Sequence, residues 1–430
     1  MKHPELLSPA GTLKSMRYAF AYGADAVYAG QPRYSLRVRN NEFFVLDNLI
    51  SAIDEAHSQG KRFLVASNVL PHNNKVKTYL KHLQPVVEAK PDALIMADPG
   101  LIMMVKERWP EVEIHLSVQA NTVNFAAVKF WQSMGISRVI LSRELSLDEV
   151  AEIRQECPDI ELETFVHGAL CMAYSGRCLL SGYFNHRDSN QGACTNACRW
   201  KYQLREGESN DFGDVLTKDI HDKVFLLQEA TRPNESIPIY EDEFGTHLMN
   251  SKDLRAIQHV QRLMEIGVDC LKIEGRTKTH FYVARTTQLY RQAIDDAIAG
   301  KAFDINLMDT LEGLSSRGYT EGFFRRRVPG ELQQYESRSA SDATSQFVGE
   351  VLDYDQQAGM VTIDVKNRFV IGDALELISP DGTVSFRLAA IEDEKGRAMT
   401  AAPGSGYVVK IPLATKYDLS YGLLIKHKNL

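Results

Sequence analysis

A cluster of cysteines is the part of this sequence that could most directly do chemistry. Four of the six cysteines stand at Cys171, Cys178, Cys194 and Cys198, separated by six, fifteen and three residues. Thiolates at this density can hold a soft metal or an iron–sulfur cluster, or they can pair as disulfides. A four-cysteine zinc site also stays open, although C-x3-C differs from the C-x2-C spacing typical of structural zinc.

Composition bears on which of these alternatives applies. The 430 residues are 44% apolar and 24% charged, which is enough for two or three globular domains. The opening MKHPELLSPAG has no apolar signal-peptide region, and no apolar run has the length of a membrane span. We therefore expect a cytoplasmic protein. Because the cytoplasm is reducing, disulfides are disfavoured there and metal binding at the clustered cysteines is favoured.

The elements that must position the cysteines alternate regularly in the first part of the chain. Predicted strands are short apolar runs such as ALIMA and RVILS, at residues 5–8, 26–29, 63–68, 93–97, 113–119, 138–142, 162–167 and 271–274. Predicted helices cover residues 12–22, 45–59, 75–89, 99–108, 122–134 and 281–299. Eight buried strands alternating with helices are typical of an α/β protein with a (β/α)8, TIM-like barrel.

Two parts of the chain depart from this alternation. Residues from about 170 to 243 are polar, carry the cysteines and form a predicted insertion between strands seven and eight. Short strands separated by turn sequences such as PDG and PGSG predict a small all-β barrel domain at 346–430. We therefore expect a barrel with a cysteine-bearing insertion at 1–300, a connecting segment at 301–345 and the β-barrel domain.

Polar residues stand where the predicted barrel strands end, which is the side of such barrels that carries active sites. They are Asn68, Asp98, His115, Ser117, Gln119, Arg143, Glu144, Glu163, His167, Lys272, Glu274 and Arg276. Each one alone could be a satisfied structural group. A ring of them predicts a polar pocket, since buried polar groups cost free energy unless they are paired. Six are candidate catalytic residues facing the cysteines: His115, Gln119, Glu163, His167, Glu274 and Arg276.

The run KIEGR places Lys272, Glu274 and Arg276 on one side of a strand. This alternation could orient a carboxylate ligand or form a structural ion-pair ladder, and both interpretations stay open. Familiar hydrolase and nucleotide-binding patterns are missing from the sequence, including G-x-S-x-G, H-E-x-x-H, the Walker A loop and G-x-G-x-x-G.

The net charge of −7 means that nucleic acid could bind only at a local basic patch. One candidate combines arginines with aromatic residues: Arg317, Arg325, Arg326, Arg327 and Arg338 with Tyr319, Phe323, Phe324 and Tyr335. The alternative is a solvated loop with a few buried aromatic side chains. We predict that Arg325, Arg326 and Arg327 contact RNA phosphates from the groove between the barrel and the β domain.

Longer motifs carry a resemblance that spans nearly the whole chain. They are ELLSPAG, YGADAVYAG, HLSVQANTVN, ETFVHGALCMAYSGRCLLSGYF, GACTNACRWKY, NSKDL, KIEGR and RGYTEGFF. Together they resemble the collagenase-like peptidase family U32. The core of its signature, E-x-F-x-x-G-x-x-C-x6-C, is met by Glu163, Phe165, Gly168, Cys171 and Cys178.

The resemblance implies a function unlike the family's name. It implies a tRNA-modifying enzyme that hydroxylates the wobble uridine of the anticodon loop to 5-hydroxyuridine, without oxygen and with prephenate as co-substrate. It also implies an electron-donor protein and a 4Fe–4S cluster held by Cys171, Cys178, Cys194 and Cys198. Cys157 and Cys270 are then ordinary buried thiols. The alternatives are a peptidase with a zinc site and a noncatalytic RNA-binding scaffold whose metal is structural.

Overall fold

The computed structural model describes residues 3–36, 41–171, 173–175, 177–178, 252–314, 318–325 and 345–427, together with the backbone of five strands between 206 and 247. Cys194, Cys198, Arg326 and Arg327 lie outside the described residues. Within them, no helix combines the length and the apolar character needed to cross a membrane.

Seven parallel strands form most of the barrel wall, each within a few residues of its predicted position. They are β1 (Glu5–Pro9), β2 (Ala26–Gly30), β3 (Arg62–Ser67), β4 (Ala93–Met96), β5 (Ile114–Leu116), β6 (Arg138–Ile140) and β7 (Glu161–Ala169). Each strand pairs with the next one along the chain. Their continuously apolar sequences suit strands that are covered on both faces.

Helices connect these strands and lie on the outside of the barrel. They are α1 (Leu13–Ala21), α2 (Leu46–Ser58), α3 (Asn73–Val76), α4 (Tyr79–Glu88), α5 (Pro99–Arg108), α6 (Phe125–Ser133) and α7 (Leu147–Glu156). Side-chain caps set several starts, including a capping box between Ser146 and Glu149. The helix predicted at 75–89 is two helices, because Thr78 leaves helical geometry with φ −113° and ψ 0°.

An insertion follows β7 and contains regular backbone structure. Its strands are β8 (Glu206–Ser209), β9 (Val215–Lys218), β10 (Phe225–Gln228), β11 (Ser236–Asp242) and β12 (Gly245–His247). The next strand, β13 (Asp253–Arg255), returns to the barrel and pairs antiparallel with the end of β7. Helix α8 (Val260–Ile266) then leads into β14 (Cys270–Ile273). β14 pairs with both β7 and β1, so it closes the barrel as its eighth parallel strand.

Alternation along the strands produces two separate apolar layers. One set fills the inside of the barrel: Leu7, Ala26, Tyr28, Leu64, Ala66, Ala93, Ile95, Ile140, Phe165 and Cys270. The intervening positions, such as Leu6, Val27 and Phe63, belong to a larger cluster that packs against the helices. The expected (β/α)8 barrel is therefore confirmed, and any polar side chain of the inward set faces its lumen.

The chain after β14 forms helices and then an antiparallel sheet. Helices α9 (His280–Ile298) and α10 (Asn306–Glu312) precede the short strand β15 (Tyr319–Thr320), which pairs with β13. The later strands are β16 (Ser345–Asp355), β17 (Met360–Val365), β18 (Phe369–Val370), β19 (Ala374–Ile378), β20 (Thr383–Arg387), β21 (Ile391–Asp393), β22 (Ala398–Met399), β23 (Ala401–Ala402), β24 (Val408–Pro412) and β25 (Leu423–His427).

This C-terminal region is all-β, as expected, with its own apolar core. Eight of its strands form one sheet in the order β20-β19-β25-β16-β17-β24-β21-β22, and β18 pairs separately with β23. The region packs on the barrel helices α1 and α9. The Tyr22 hydroxyl donates to the Ile378 carbonyl at 3.1 Å, and Arg285 forms a buried ion pair with Glu376 at 2.6 Å.

Candidate active site at the barrel mouth

A buried ion-pair network occupies the amino-terminal half of the barrel lumen. Arg138, at the start of β6, lies 2.6 Å from a Glu5 oxygen and 3.3 Å from a Glu163 oxygen. On its other side Glu163 accepts a hydrogen bond from Lys272 at 2.7 Å. Burial raises the pKa of Glu163, but the charges of Lys272 and Arg138 outweigh it and lower that pKa to about 2.

His115 belongs to the same half of the barrel. It is level with Arg138 in the strand register, and its Nε2 lies 3.7 Å from a carboxylate oxygen of Glu113. The ring is fully buried, and this burial lowers the pKa of His115, so the neutral form predominates at pH 7. Neither ring nitrogen has a hydrogen-bond partner among the described residues, and the ring lies below the rim.

The placement of His115 and Glu163 corrects the predicted six-residue pocket. Glu163 pairs in register with Cys270, the first residue of β14, and therefore lies below the rim. The prediction took both residues for strand-end residues, although each stands near the start of its own predicted strand, 113–119 and 162–167. The sequence signal that was missed is a charged residue opening a buried strand, as in ELLS and RVIL.

The carboxyl ends of the strands hold a second polar group, which we call the barrel mouth: Arg143, Glu274, Arg276 and Gln119. Arg143 forms an ion pair with Glu274 and donates to the Ala169 carbonyl at 3.0 Å. Its guanidinium also lies 4.0 Å from the Phe165 ring centroid. Arg276 donates to the Ser35 hydroxyl at 2.6 Å. Cationic groups and an aromatic face therefore converge here.

Lys272 connects the mouth to the network below. Its ammonium lies 4.4 Å from the Tyr28 ring centroid and 5.3 Å from that of Phe165. The Arg276 guanidinium lies over the same Tyr28 ring, 5.6 Å from its centroid. The predicted alternation in KIEGR thus produces a column of charges inside the barrel, with Lys272 deep and Arg276 at the rim.

Gln119 is the most unusual polar side chain at the mouth. It lies in a 3-10 turn, Val118–Ala120, directly after β5 and is 1% exposed. Neither its amide nitrogen nor its amide oxygen has a hydrogen-bond partner among the described residues. A buried amide left unpaired costs about 1–3 kcal/mol. Buried polar groups are normally hydrogen-bonded, and a bound ligand or water would supply the partners that this amide lacks.

The same turn contacts the cysteine-bearing segment. Asn121, with φ +52°, donates to the Gln119 carbonyl at 2.8 Å and to the Ser175 carbonyl at 3.4 Å. Ser175 lies between Cys171, which is exposed, and Cys178, which is half-buried. The described part of this segment therefore lies beside the strand ends that carry Gln119.

The metal prediction rests partly on residues outside the described ranges. Cys171 follows the end of β7 by two residues, whereas Cys194 and Cys198 are not described. Among the residues that are described, no three His, Cys, Asp or Glu side chains are grouped closely enough to hold a metal ion. Cys157 and Cys270 are 2% and 0% exposed, in agreement with their interpretation as buried thiols.

His167 is enclosed by aromatic side chains instead of facing a pocket. Its Nδ1 lies 3.4 Å from the Tyr290 hydroxyl and its Nε2 lies 3.3 Å from the Tyr319 hydroxyl, while Tyr282 packs on the ring. Burial lowers the pKa of His167 to about 3, so the ring is neutral. A register shift between β7 and β14 at Lys272 and Ile273 breaks the simple alternation used in the prediction.

Of the arginines in the predicted patch, Arg325 is the one that lies within the described residues, and Arg317 and Arg338 lie outside them with Arg326 and Arg327. Arg325 is 66% exposed and forms an ion pair with Glu321 at 3.0 Å. The preceding residue, Phe324, accepts a hydrogen bond from the Leu147 amide at 3.1 Å at the start of α7. These contacts place Arg325 on the barrel near α7, whereas the β region packs on α1 and α9. Its contact with RNA stays a prediction.

Comparison with known proteins shows which family the chain belongs to. The family model for "Peptidase family U32" matches residues 11–334, and that for "Peptidase family U32 C-terminal domain" matches residues 343–426. The chain is 58% identical to tRNA hydroxylation protein P of Escherichia coli, covering 99% of this chain and 97% of the relative. It is 35% identical to tRNA hydroxylation protein P1 of Bacillus subtilis, covering 96% and 93%.

A more distant similarity extends to an enzyme named for ribosomal RNA. The chain is 30% identical to the 23S rRNA 5-hydroxycytidine synthase of Escherichia coli, covering 90% of this chain and 54% of that protein. The two family models together span almost the entire chain, from the barrel to the β region. This protein therefore belongs to peptidase family U32.

Proposed function

We propose that this protein is a tRNA-hydroxylating enzyme. The observation that carries the proposal is the match over 99% of the chain, at 58% identity, to a relative named for tRNA hydroxylation. The synthase named for 5-hydroxycytidine supports the same reaction class, because its product also carries a new hydroxyl on a pyrimidine. The barrel mouth, with its cations and buried amide, provides a polar site for this chemistry.

The finer proposal is hydroxylation of the wobble uridine to 5-hydroxyuridine in the anticodon loop. Replacing C5–H by C5–OH adds one oxygen atom and removes two electrons from the base. An oxygen donor and an acceptor for these two electrons must therefore accompany the RNA. We propose prephenate as the co-substrate, since Arg276 and the Arg143–Glu274 pair place guanidinium groups at the rim, where they could bind a carboxylate ligand.

We propose a 4Fe–4S cluster on Cys171, Cys178, Cys194 and Cys198 as the redox group. Four cysteines match the thiolate set that such a cluster requires, and Cys171 is exposed immediately beyond β7. When bound, the cluster would supply one-electron chemistry, with a separate electron-transfer protein as its redox partner to carry away the electrons removed from the base. The contact of Asn121 with Ser175 supports a position beside the mouth.

The chain's own residues then have distinct tasks. The Arg143–Glu274 pair and Arg276 would hold the anionic co-substrate at the rim. Gln119 would donate and accept hydrogen bonds at a polar edge of the bound base, satisfying its unpaired amide. The deeper pair of Glu163 and Lys272 supports Phe165 and Tyr28, which line the floor of the mouth.

A peptidase, as the family name suggests, is a weaker alternative. His167, four residues before Cys171, is buried among tyrosines with a pKa lowered to about 3 by burial. A histidine held neutral and enclosed is poorly suited to activate a thiol. Incubation with denatured collagen tests this alternative directly, and cleavage by the wild type but not by Cys171→Ala would establish it.

The decisive experiment is anaerobic reconstitution with iron and sulfide, followed by incubation with unmodified tRNA, prephenate and a reductant. Mass spectrometry of the digested tRNA should detect 5-hydroxyuridine. Omitting prephenate and omitting the cluster are separate controls. If the loaded protein leaves the tRNA unmodified but restores modification when cell extract from a deletion strain is added, it is a component and not the whole enzyme. No modification under either condition, alongside bound tRNA, would favour the scaffold.

A further inference from the structure

We infer that one side of the barrel mouth is the docking surface for the phosphate backbone of the RNA. This surface, the basic face, consists of Arg33 in the β2–α2 loop together with Lys75, Lys77 and Lys81 of α3 and α4. It is distinct from the arginines at 325–327. The inference rests on the proposed function, and it identifies where the RNA substrate is held.

The chain topology puts these four residues at the carboxyl ends of the strands. In a (β/α)8 barrel, each connecting helix begins at the end where the preceding strand finishes. Arg33 follows β2 by three residues, Lys75 and Lys77 lie in and after α3, and Lys81 is in the first turns of α4. All four cations are therefore on the side of the barrel that carries the mouth.

The Tyr34 hydroxyl links the β2–α2 loop to the segment that forms α3 and the start of α4. Tyr34 is 1% exposed, and its hydroxyl lies 3.4 Å from the Lys75 carbonyl, 3.2 Å from the Thr78 hydroxyl and 2.9 Å from His82 Nδ1. Its ring also packs edge-on against Tyr79, with centroids 4.9 Å apart. Arg33 is thereby fixed next to the start of α4, so the basic face is one preformed surface.

The sequence segments that carry this surface are free of acidic residues. No acidic residue occurs between Asp25 and Glu42 or between Glu55 and Glu88. Arg33, Lys77 and Lys81 are exposed, and none of them forms an ion pair with a carboxylate in the part of the chain that the structure describes. On a chain of net charge −7, such a surface is a local attraction for a polyanion.

Several other exposed cations of the barrel are paired with carboxylates. Lys129 pairs with Glu156 at 2.7 Å, and Lys301 pairs with Asp296 at 2.7 Å. Arg17 likewise pairs with Glu55, at 2.7 Å. The contrast separates the basic face from cations that have an acidic neighbour.

Direct contacts join the basic face to the candidate site. Ser35, two residues beyond Arg33, accepts the hydrogen bond from Arg276. The next residue, Leu36, donates its amide to the Asn68 side chain at 3.3 Å, and Asn68 contacts Ser117 near Gln119. A phosphate backbone lying along the basic face would therefore hold a neighbouring flipped base over the mouth. An RNA fits this geometry better than an acidic protein, because the ligand must also enter the mouth.

The test compares two double variants with the same change in charge. Lys77→Glu with Lys81→Glu reverses the basic face. Lys90→Glu with Arg108→Glu reverses two exposed cations that lie at or just beyond the ends of α4 and α5, on the opposite end of the barrel. Affinity for an unmodified tRNA transcript is measured from 50 to 300 mM salt. We expect about tenfold weaker binding for the first variant, with a salt slope lower by roughly one unit per lost contact.

The control variant should bind within about twofold of the wild type. Equal weakening by both variants would mean a net-charge effect and would overturn the inference. So would an unchanged affinity and slope in the Lys77→Glu, Lys81→Glu variant while the wild type binds tRNA. Failure of the wild type to bind tRNA would instead overturn the proposed function and the inference together. Lys77→Gln with Lys81→Gln repeats the test if the reversed variant does not fold, as judged by thermal unfolding.

Discussion

The carboxylate of Glu163 lies 2.7 Å from the ammonium of Lys272 inside a fully enclosed barrel lumen. One of these residues belongs to the family signature around the cysteines, and the other opens KIEGR. Their pairing ties β7 to β14 at the point where the barrel closes. Arg138, 3.3 Å from Glu163, is a second cation beside the same carboxylate. The signature glutamate therefore stabilises the barrel beneath the site.

Glu163→Gln should destabilise the protein by about 3–5 kcal/mol, because it leaves Lys272 and Arg138 buried without their shared partner. Urea unfolding at pH 7 measures this loss. The matched control is Glu161→Gln, whose carboxylate also contacts Arg138 but is 45% exposed, and it should cost about 1 kcal/mol or less. Equal losses for both variants would contradict the role assigned to the buried pair.

The same pair predicts a pH dependence. The folded-state pKa of Glu163 is lowered from 4.5 to about 2, since Lys272 and Arg138 outweigh the effect of burial. Its stabilisation is therefore present above pH 4.5 and is lost as the pH falls toward 2. The difference in unfolding free energy between wild type and Glu163→Gln should shrink progressively below pH 4.5. A difference that stays constant from pH 6 to pH 3 would refute this assignment.

Gly168→Ala should displace the backbone that carries Glu274. Gly168 has φ +105°, and an added Cβ would lie 2.4 Å from the Glu274 carbonyl oxygen. We expect a loss of a few kcal/mol in stability and a large loss of tRNA modification. Gly300→Ala is the control, because it has φ +68° with no atom near its Cβ and carries only the conformational cost of roughly 1 kcal/mol. Similar effects of the two substitutions would argue against a close approach.

Gln119→Leu tests the buried amide at the mouth. Removing an unpaired polar group without changing the volume greatly should leave stability unchanged or raise it. If the amide binds substrate, tRNA modification should fall by about two orders of magnitude. Asn121→Gly is measured alongside Gln119→Leu. It should keep the backbone of the turn, because Asn121 adopts φ +52° and glycine tolerates this conformation. Full activity of Gln119→Leu would remove Gln119 from the site.

The ligand set of the proposed cluster is open to a direct test. Alanine substitution of Cys171, Cys178, Cys194 or Cys198 should lower bound iron and the visible absorbance of anaerobically reconstituted protein. Cys157→Ala and Cys270→Ala serve as controls, because both thiols are buried away from solvent. A full cluster in Cys198→Ala together with its loss in Cys270→Ala would show that the fourth ligand was assigned wrongly.

Replacing Arg325, Arg326 and Arg327 together by alanine should weaken tRNA binding and flatten its salt dependence by roughly one unit of slope per lost contact. The cluster spectrum should be unchanged. Arg325 already pairs with the nearby Glu321, which should reduce its own contribution to tRNA binding. Unchanged affinity and slope in the triple variant would refute the assignment of this segment to RNA.

The sequence alone determined the barrel and the identity of its strands. Runs such as ALIMA and RVILS are typical of strands buried on both faces, as in a parallel sheet, and the intervening helices have the length of barrel connections. The eight predicted strands match β1–β7 and β14 to within a few residues. The cysteine spacing and the long motifs likewise pointed to the family, because such features are local in the chain.

Tertiary structure decided which polar residues share a site. Register between neighbouring strands places Glu163 level with the first residue of β14 and moves it below the rim, while Gln119 stays at the mouth. A register shift and the antiparallel β13 put His167 among tyrosines. The basic face depends on Tyr34 joining two loops that are far apart in sequence. These outcomes depend on contacts between distant segments, which periodicity within one segment does not encode.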